Sequence, residues 1–250
     1  MRMRKRANLD VRMERCADLL ETEPETLCGK WRETYPGHEK LYLELGCGKG
    51  RFTVDTAESM PETLYVALEK VPDAMILAME KVSRRGLENV RFLDADAKLL
   101  GTMFAPGEVD RIYINFCDPW PKSRDAKLRL TSPAFLRLYA DLLPVGGEIH
   151  FKTDNTPLFD WSVGQMESEG WVLHELTHDL HANGPVGVMT DYEAKFYEQG
   201  MKINRLVAVK TEDTKGTAAG AVPRLRNASL TDARGYEESV ERNRQKEREA

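Results

Sequence analysis

Residues 115–125 read NFCDPWPKSRD, in which Asp118 is followed by Pro119, Trp120 and Pro121, and then by Lys122 and Arg124. The hydrophobic run VDRIYINF (109–116) leads into it as a buried strand would lead to the surface. A carboxylate followed by two prolines sits on a stiffened loop, and it can stabilise positive charge that develops on a group bound beside it. Trp120 can stack on a base or anchor the loop against the core. Lys122, Arg124, Lys127 and Arg129, set against Asp125, make a local cationic segment of the kind that meets phosphates.

A second constellation lies upstream. LYLELGCGKGRF (41–52) puts Gly46, Gly48 and Gly50 after a β-rich run and before a helical one. Glycines there let the chain turn sharply and let a ligand approach the backbone, while a helix N-terminus offers unpaired N–H groups. The spacing is G-x-G-x-G, with Arg51 where a dinucleotide fingerprint has its third glycine, which suits a nucleoside ligand without a pyrophosphate and disfavours a nicotinamide oxidoreductase. VALEK ends the next β-rich run on Glu69, an acid placed to take both ribose hydroxyls. FLDADA puts Asp96 just past the third run, in reach of an adenine amino group. Each acid alone is an ordinary cap or loop charge, but three features at three successive strand ends converge on one site.

Short β-rich runs that alternate with amphipathic helices must position these residues. The strands are predicted at 41–45, 63–68, 89–94, 109–116, 146–152, 171–176 and 201–209, and the helices at 50–60, 72–85, 132–142 and 156–169. Pro72 and Gly86 punctuate one helix, and Ser132 followed by Pro133 starts another. Crossover units of this kind imply an α/β fold with a mostly parallel seven-stranded sheet and helices on both faces. The last two strands have no predicted helix between them, so one is expected to run antiparallel at the sheet edge. Residues 1–40 read as a basic arm and helical preface (ADLLETEPETL), 41–210 as one domain, and 211–250 as a disordered charged tail.

Composition sets the outer bounds. The 250 residues are 41% hydrophobic with a net charge of −5, so no broad polyanion track is expected, only the focused basic segments at 1–15 and 122–129. No apolar run approaches the roughly 20 residues of a membrane span, and the N-terminus lacks the apolar segment of a secretory signal. A cytoplasmic protein without a membrane partner is expected. Cys16, Cys28, Cys47 and Cys117 form no CxxC pair, and His150, His174, His178 and His181 have no metal spacing, so reduced thiols and no metal are expected.

The glycine turn, ribose acid and adenine acid resemble those of Rossmann-like class I S-adenosylmethionine-dependent methyltransferases. In these, a strand-end acid such as Glu44 lies near the methionine part of the cofactor. FCDPWPKSRDAKLRLT resembles more closely the loop FPDPWxKxRHxKRR of bacterial tRNA (guanine-N7-)-methyltransferases, matching at Phe116, Asp118, Pro119, Trp120, Lys122, Arg124, Lys127 and Arg129. Cys117, Asp125 and Leu128 depart from it. MRMRKR, FKTDN and TDYEAKF (190–196) resemble further segments of that family, so the likeness covers most of residues 1–210.

The resemblance implies methyl transfer from S-adenosylmethionine to guanine N7 in the tRNA variable loop. Asp118 would be catalytic and, with Glu44, Gly46, Gly48, Gly50, Glu69 and Asp96, cofactor-binding. It assigns Lys122, Asp154, Thr190, Asp191, Tyr192 and Glu193 to the substrate nucleotide, and Arg124, Asp125, Ala126, Lys127, Leu128 and Arg129 to RNA. The partner is tRNA, and the protein is a monomer or homodimer. A methyltransferase for another RNA base or a protein, and a non-catalytic RNA-binding form of the fold, are the competing readings.

Overall fold

The structure, a computed structural model, describes residues 7–217. Arg2, Arg4, Lys5 and Arg6 of the expected basic arm, and positions 218–250 of the expected tail, lie outside the described residues. The elements are α1 (Leu9–Arg15), β1 (Leu20–Glu21), α2 (Trp31–Thr34), β2 (Lys40–Leu45), α3 (Arg51–Ser59), β3 (Thr63–Leu68), α4 (Pro72–Arg85), β4 (Val90–Leu93), α5 (Leu100–Met103), β5 (Arg111–Asn115), α6 (Pro133–Leu142), β6 (Glu148–Thr153), α7 (Thr156–Ser168), β7 (Val172–Thr177), α8 (Asp191–Glu198) and β8 (Asn204–Val209).

They form one eight-stranded sheet in the order β1-β4-β3-β2-β5-β6-β8-β7. β1 through β6 run parallel, and β8 is antiparallel to both β6 and β7. The fold is thus the expected Rossmann-like α/β sheet with an antiparallel pair at its edge. β3 (TLYVAL) is buried along its whole length, as a central parallel strand covered on both faces must be. One core packs Leu41, Leu43, Leu45, Ile112 and Ile114 against Leu136, Tyr139 and Phe159 of α6 and α7. The other packs Tyr65, Ala67 and Tyr113 against Phe52 and Val54 of α3 and Met75 and Met79 of α4.

Five local expectations are corrected. The eighth strand is β1, a two-residue pairing of Leu20 and Glu21 with Phe92 and Leu93, too short to carry any hydrophobic period. The stretch ADLLETEPETL is not one helix but two 3-10 turns, Ala17–Leu19 and Pro24–Leu27, with β1 between them, because Pro24 cannot continue a helix from the residue before it. A helix, α8, does separate β7 from β8; its eight residues are capped by Thr190 and Glu193 in a reciprocal capping box. Ser132 precedes α6 as expected, but its hydroxyl donates to the Lys127 carbonyl rather than capping the helix. Residues 211–217, assigned by composition to the tail, are bonded to the domain: Lys215 N donates to Glu169 O and Thr217 N to the Asp141 carboxylate.

Candidate active site

Because β2, β3, β4, β5 and β6 are parallel and in close register, their carboxyl ends open on one edge. Leu45 lies opposite Leu68 and next to Ile114, Leu68 opposite Leu93, and Asn115 opposite Lys152. The chain passes from β2 outward to β3 and β4, then returns to β5 on the other side of β2. The crevice at such a reversal of strand order is where open α/β sheets bind ligands.

On one side of the reversal lies the glycine turn. Gly46, Gly48 and Gly50 have φ of 81°, 56° and 73°, a region that side-chain-bearing residues enter at a cost. A Cβ on Gly46 or Gly48 would meet nothing within 4 Å, so the turn opens onto free space. Gly50 differs: its Cβ would lie 2.4 Å from Ala78 Cβ, so this glycine lets α3 start hard against α4. Gly46 N and Cys47 N donate to Leu68 O. Glu69 fastens the turn from the next strand, with Oε2 accepting from Gly48 N at 2.8 Å and Oε1 from Lys70 N and Val71 N at 2.9 Å. Asp96 accepts from Lys98 N and pairs with Lys70. Burial raises its pKa, but Lys70 and the Lys98 N–H outweigh this and hold it below the ordinary value.

Beneath the crevice, Glu44 is 1% exposed. Thr53 Oγ1 and Tyr65 OH donate to its Oε2 at 2.6 and 3.1 Å. Burial lifts its pKa from 4.5 to about 7, against those hydrogen bonds, which favour the anion. Asn115 turns its amide toward Glu44, yet neither amide atom reaches hydrogen-bonding geometry. Beside it Lys152 Nζ donates to Glu193 Oε2 at 2.7 Å and to Val188 O at 3.0 Å, and burial depresses its pKa despite that carboxylate. His181 Nε2 is 3.1 Å from Glu193 Oε1.

On the other side, β5 leads into the loop that carries Asp118. Asp118 is exposed, and no hydrogen bond or ion pair among the described residues ends on its carboxylate. Phe116 and Trp120 bracket it with φ of 53° and 42°, strain of the kind that persists only where surrounding contacts enforce it. Cys117 packs against the core, and burial pushes its thiol up to about 12. The basic segment is a 3-10 turn, Ser123–Leu128. Lys122, Arg124 and Lys127 are exposed along it, Asp125, Ala126 and Leu128 are half-buried, and Arg129 turns inward, donating to the carbonyls of Pro119 and Trp120. Asp154 leaves β6 next to this loop, half-buried and without a described hydrogen-bond partner. α8 reaches the loop through an aromatic row in which Tyr192 lies 6.2 Å from Phe196 and Phe196 lies 6.0 Å from Phe116. Tyr192 and Asp191 are exposed and Thr190 is half-buried, whereas Glu193 is wholly buried.

Glu44, the glycine turn, Glu69, Asp96 and the loop of Asp118 thus follow or end parallel strands at one sheet edge. Lys152, Asn115 and His181 were missed, although a lysine inside the hydrophobic run EIHFKT is a visible anomaly. The residues fit a nucleoside cofactor with an amino-acid end: open space at Gly46 and Gly48, carboxylates at Glu69 and Asp96, and at Glu44 a buried carboxylate that an ammonium would neutralise.

Solved structures share this architecture. The 16S rRNA methyltransferase KamB aligns with a TM-score of 0.58 and 17% identity over 73% of this chain and 93% of that one. A variant of the 16S rRNA (adenine(1408)-N(1))-methyltransferase from Catenulisporales acidiphilia aligns with a TM-score of 0.54 and 13% identity over 77% and 93%. The family model Methyltransf_4, described as "Putative methyltransferase", matches residues 38–206. With that match across the sheet, the glycine turn and the Asp118 loop, the chain belongs to the Methyltransf_4 family of methyltransferases.

Proposed function

We propose that the protein transfers a methyl group from S-adenosylmethionine to N7 of a guanine in tRNA. One observation carries this reading: Asp118 is an exposed carboxylate, without a hydrogen-bond or ion-pair partner among the described residues, on a turn with positive φ at Phe116 and Trp120, across the strand reversal from the glycine turn. Bound S-adenosylmethionine supplies an electrophilic methyl on a sulfonium. Glu44 would attract the ammonium of its methionine end, Glu69 the ribose hydroxyls and Asp96 the adenine amino group.

Guanine N7 carries a lone pair and no proton, so the step needs alignment and charge stabilisation rather than a general base. Asp118 accepts hydrogen bonds from guanine N1–H and N2–H₂, a donor pair adenine does not present. Those donors become more acidic as charge grows on the base, so the bonds tighten in the transition state. Asp154, Thr190 and Tyr192 line the same edge for the target nucleotide, and Lys122, Arg124 and Lys127 present cations to phosphates.

A second reading, methylation of another RNA base, is favoured by the fold's likeness to rRNA methyltransferases, one of them acting on adenine N1. Incubating unmodified tRNA with labelled S-adenosylmethionine and analysing nucleosides separates the two. 7-Methylguanosine is expected, another methylated nucleoside supports the second reading, and cofactor binding without any product on tRNA leaves a different methyl acceptor or a non-catalytic RNA-binding fold.

A further inference from the structure

Arg129 stands in the basic segment, and its position there suits a phosphate contact, but its geometry differs from that of its neighbours. Nε donates to Pro119 O at 3.0 Å and to Trp120 O at 3.3 Å, and Nη2 donates to Trp120 O at 3.0 Å. The guanidinium carbon sits over the ring of Trp161 of α7, 4.3 Å from its centroid. Lys122, Arg124 and Lys127 are exposed over the same stretch, whereas Arg129 is half-buried.

The platform under Arg129 is itself tied down. Arg129 N donates to Ala126 O and Ser132 N donates to Arg129 O. Thr131, wholly buried, shares a hydrogen bond of 2.6 Å with Ser162, the residue after Trp161. α7 thus fixes both the backbone beside Arg129 and the aromatic face on which its side chain rests. A planar, forked donor on such a platform can hold two successive carbonyls in one orientation, which a lysine cannot do. Those carbonyls belong to the residues that follow Asp118, and Trp120, one of them, is held at φ 42°.

We infer that Arg129 is a positioning residue: braced on Trp161, it clamps the Pro119–Trp120 turn and so aims Asp118, rather than binding RNA phosphate. The inference rests on the methyl-transfer reading for its kinetic consequence but not for its structural one. It divides the basic segment into an outer set that meets the substrate and an inner member that shapes the loop.

The test compares Arg129→Gln, Arg129→Lys and Trp161→Leu with Lys127→Ala in the full chain. Loss of the clamp predicts a kcat on tRNA at least tenfold lower for Arg129→Gln, with tRNA Kd within twofold of wild type and the same slope of log Kd against log salt. Lys127→Ala, a phosphate-type change, should instead raise Kd and reduce that slope by about 1. Arg129→Lys keeps the charge, so a clamp predicts no recovery of kcat and a phosphate contact predicts recovery. Trp161→Leu should lower kcat in the same sense without touching RNA. Independently of activity, hydrogen exchange of the 116–122 backbone amides should accelerate in Arg129→Gln. Unchanged exchange there, or a loss confined to tRNA affinity with a reduced salt slope, overturns the assignment. Wild-type protein that yields no 7-methylguanosine overturns the reaction instead, and the exchange measurement still decides the clamp.

Discussion

Glu44 and Asp118 leave neighbouring parallel strands at the same edge, yet they are held in opposite ways. The cofactor side is built tight: Glu44 is buried, Glu69 accepts from the N–H groups of Gly48, Lys70 and Val71, and Gly50 leaves no room for even one carbon against Ala78. The Asp118 side is built open: Asp118 and Asp154 have no hydrogen-bond or ion-pair partner among the described residues, and the turn around Asp118 has positive φ at Phe116 and Trp120, held by Arg129 from behind. A nucleoside cofactor is small and constant, so a pre-formed pocket suits it. On the proposed reading, a polynucleotide must be admitted from solution, which suits an exposed carboxylate on a constrained turn.

This contrast can be broken at several points. The largest expected effect is on the open side, where Asp118→Ala should lower methyl transfer by about 10²–10³-fold, the usual cost of removing one pre-organised charge-stabilising group. Because Asp118 is exposed, the melting temperature should hardly move; retained turnover would remove it from the chemistry. Next, Gly50→Ala should destabilise the fold by about 2–4 kcal/mol, combining the clash with Ala78 and a side chain at φ 73°. Denaturant unfolding reads this directly, and a near-neutral result would mean that the cofactor side is looser than its packing.

Glu69→Ala should weaken cofactor binding by about 1.5–3 kcal/mol, the range for hydrogen bonds to a charged group, measured by calorimetry. Glu44→Gln gives the smallest effect and the most diagnostic one. The folded chain holds the Glu44 proton up to about pH 7 against an ordinary 4.5, so it binds more protons than the unfolded chain in that window. Stability therefore falls as pH rises through it, by roughly 1–3 kcal/mol. His150, which burial holds down to about 4, acts in the opposite sense below its ordinary 6.5, so the net loss should emerge mainly above that pH. In cofactor-free protein at pH 8, Glu44→Gln should raise the melting temperature while lowering cofactor affinity. Lower stability together with normal affinity would show Glu44 to be a structural acid.

The features legible in sequence are those with local causes. β3 and α4 fall where the predicted boundaries put them, because a continuous apolar run and a Pro-to-Gly bracket each act within their own segment. β1 was invisible because its two residues owe their conformation to pairing with β4. α8 was missed because TDYEAKF reads as a motif, although its Thr–Glu spacing is also a capping box. The same residue pair shows the limit for the site. Glu193, which resemblance assigns to substrate, is buried between Lys152 and His181, where it ties α8 to β6.

Residue type and order by themselves determined that strand-end acids, a glycine turn and a Pro-braced aspartate would share an edge, because parallel crossover units put every strand's carboxyl end on one side. Only the tertiary structure decided which charges face outward. Lys127 and Arg129 are two residues apart in one cationic run, and nothing local distinguishes them. The side chain of Trp161, from a helix more than 30 residues away, gives Arg129 a surface to lie on and carbonyls to hold, and leaves Lys127 in solvent.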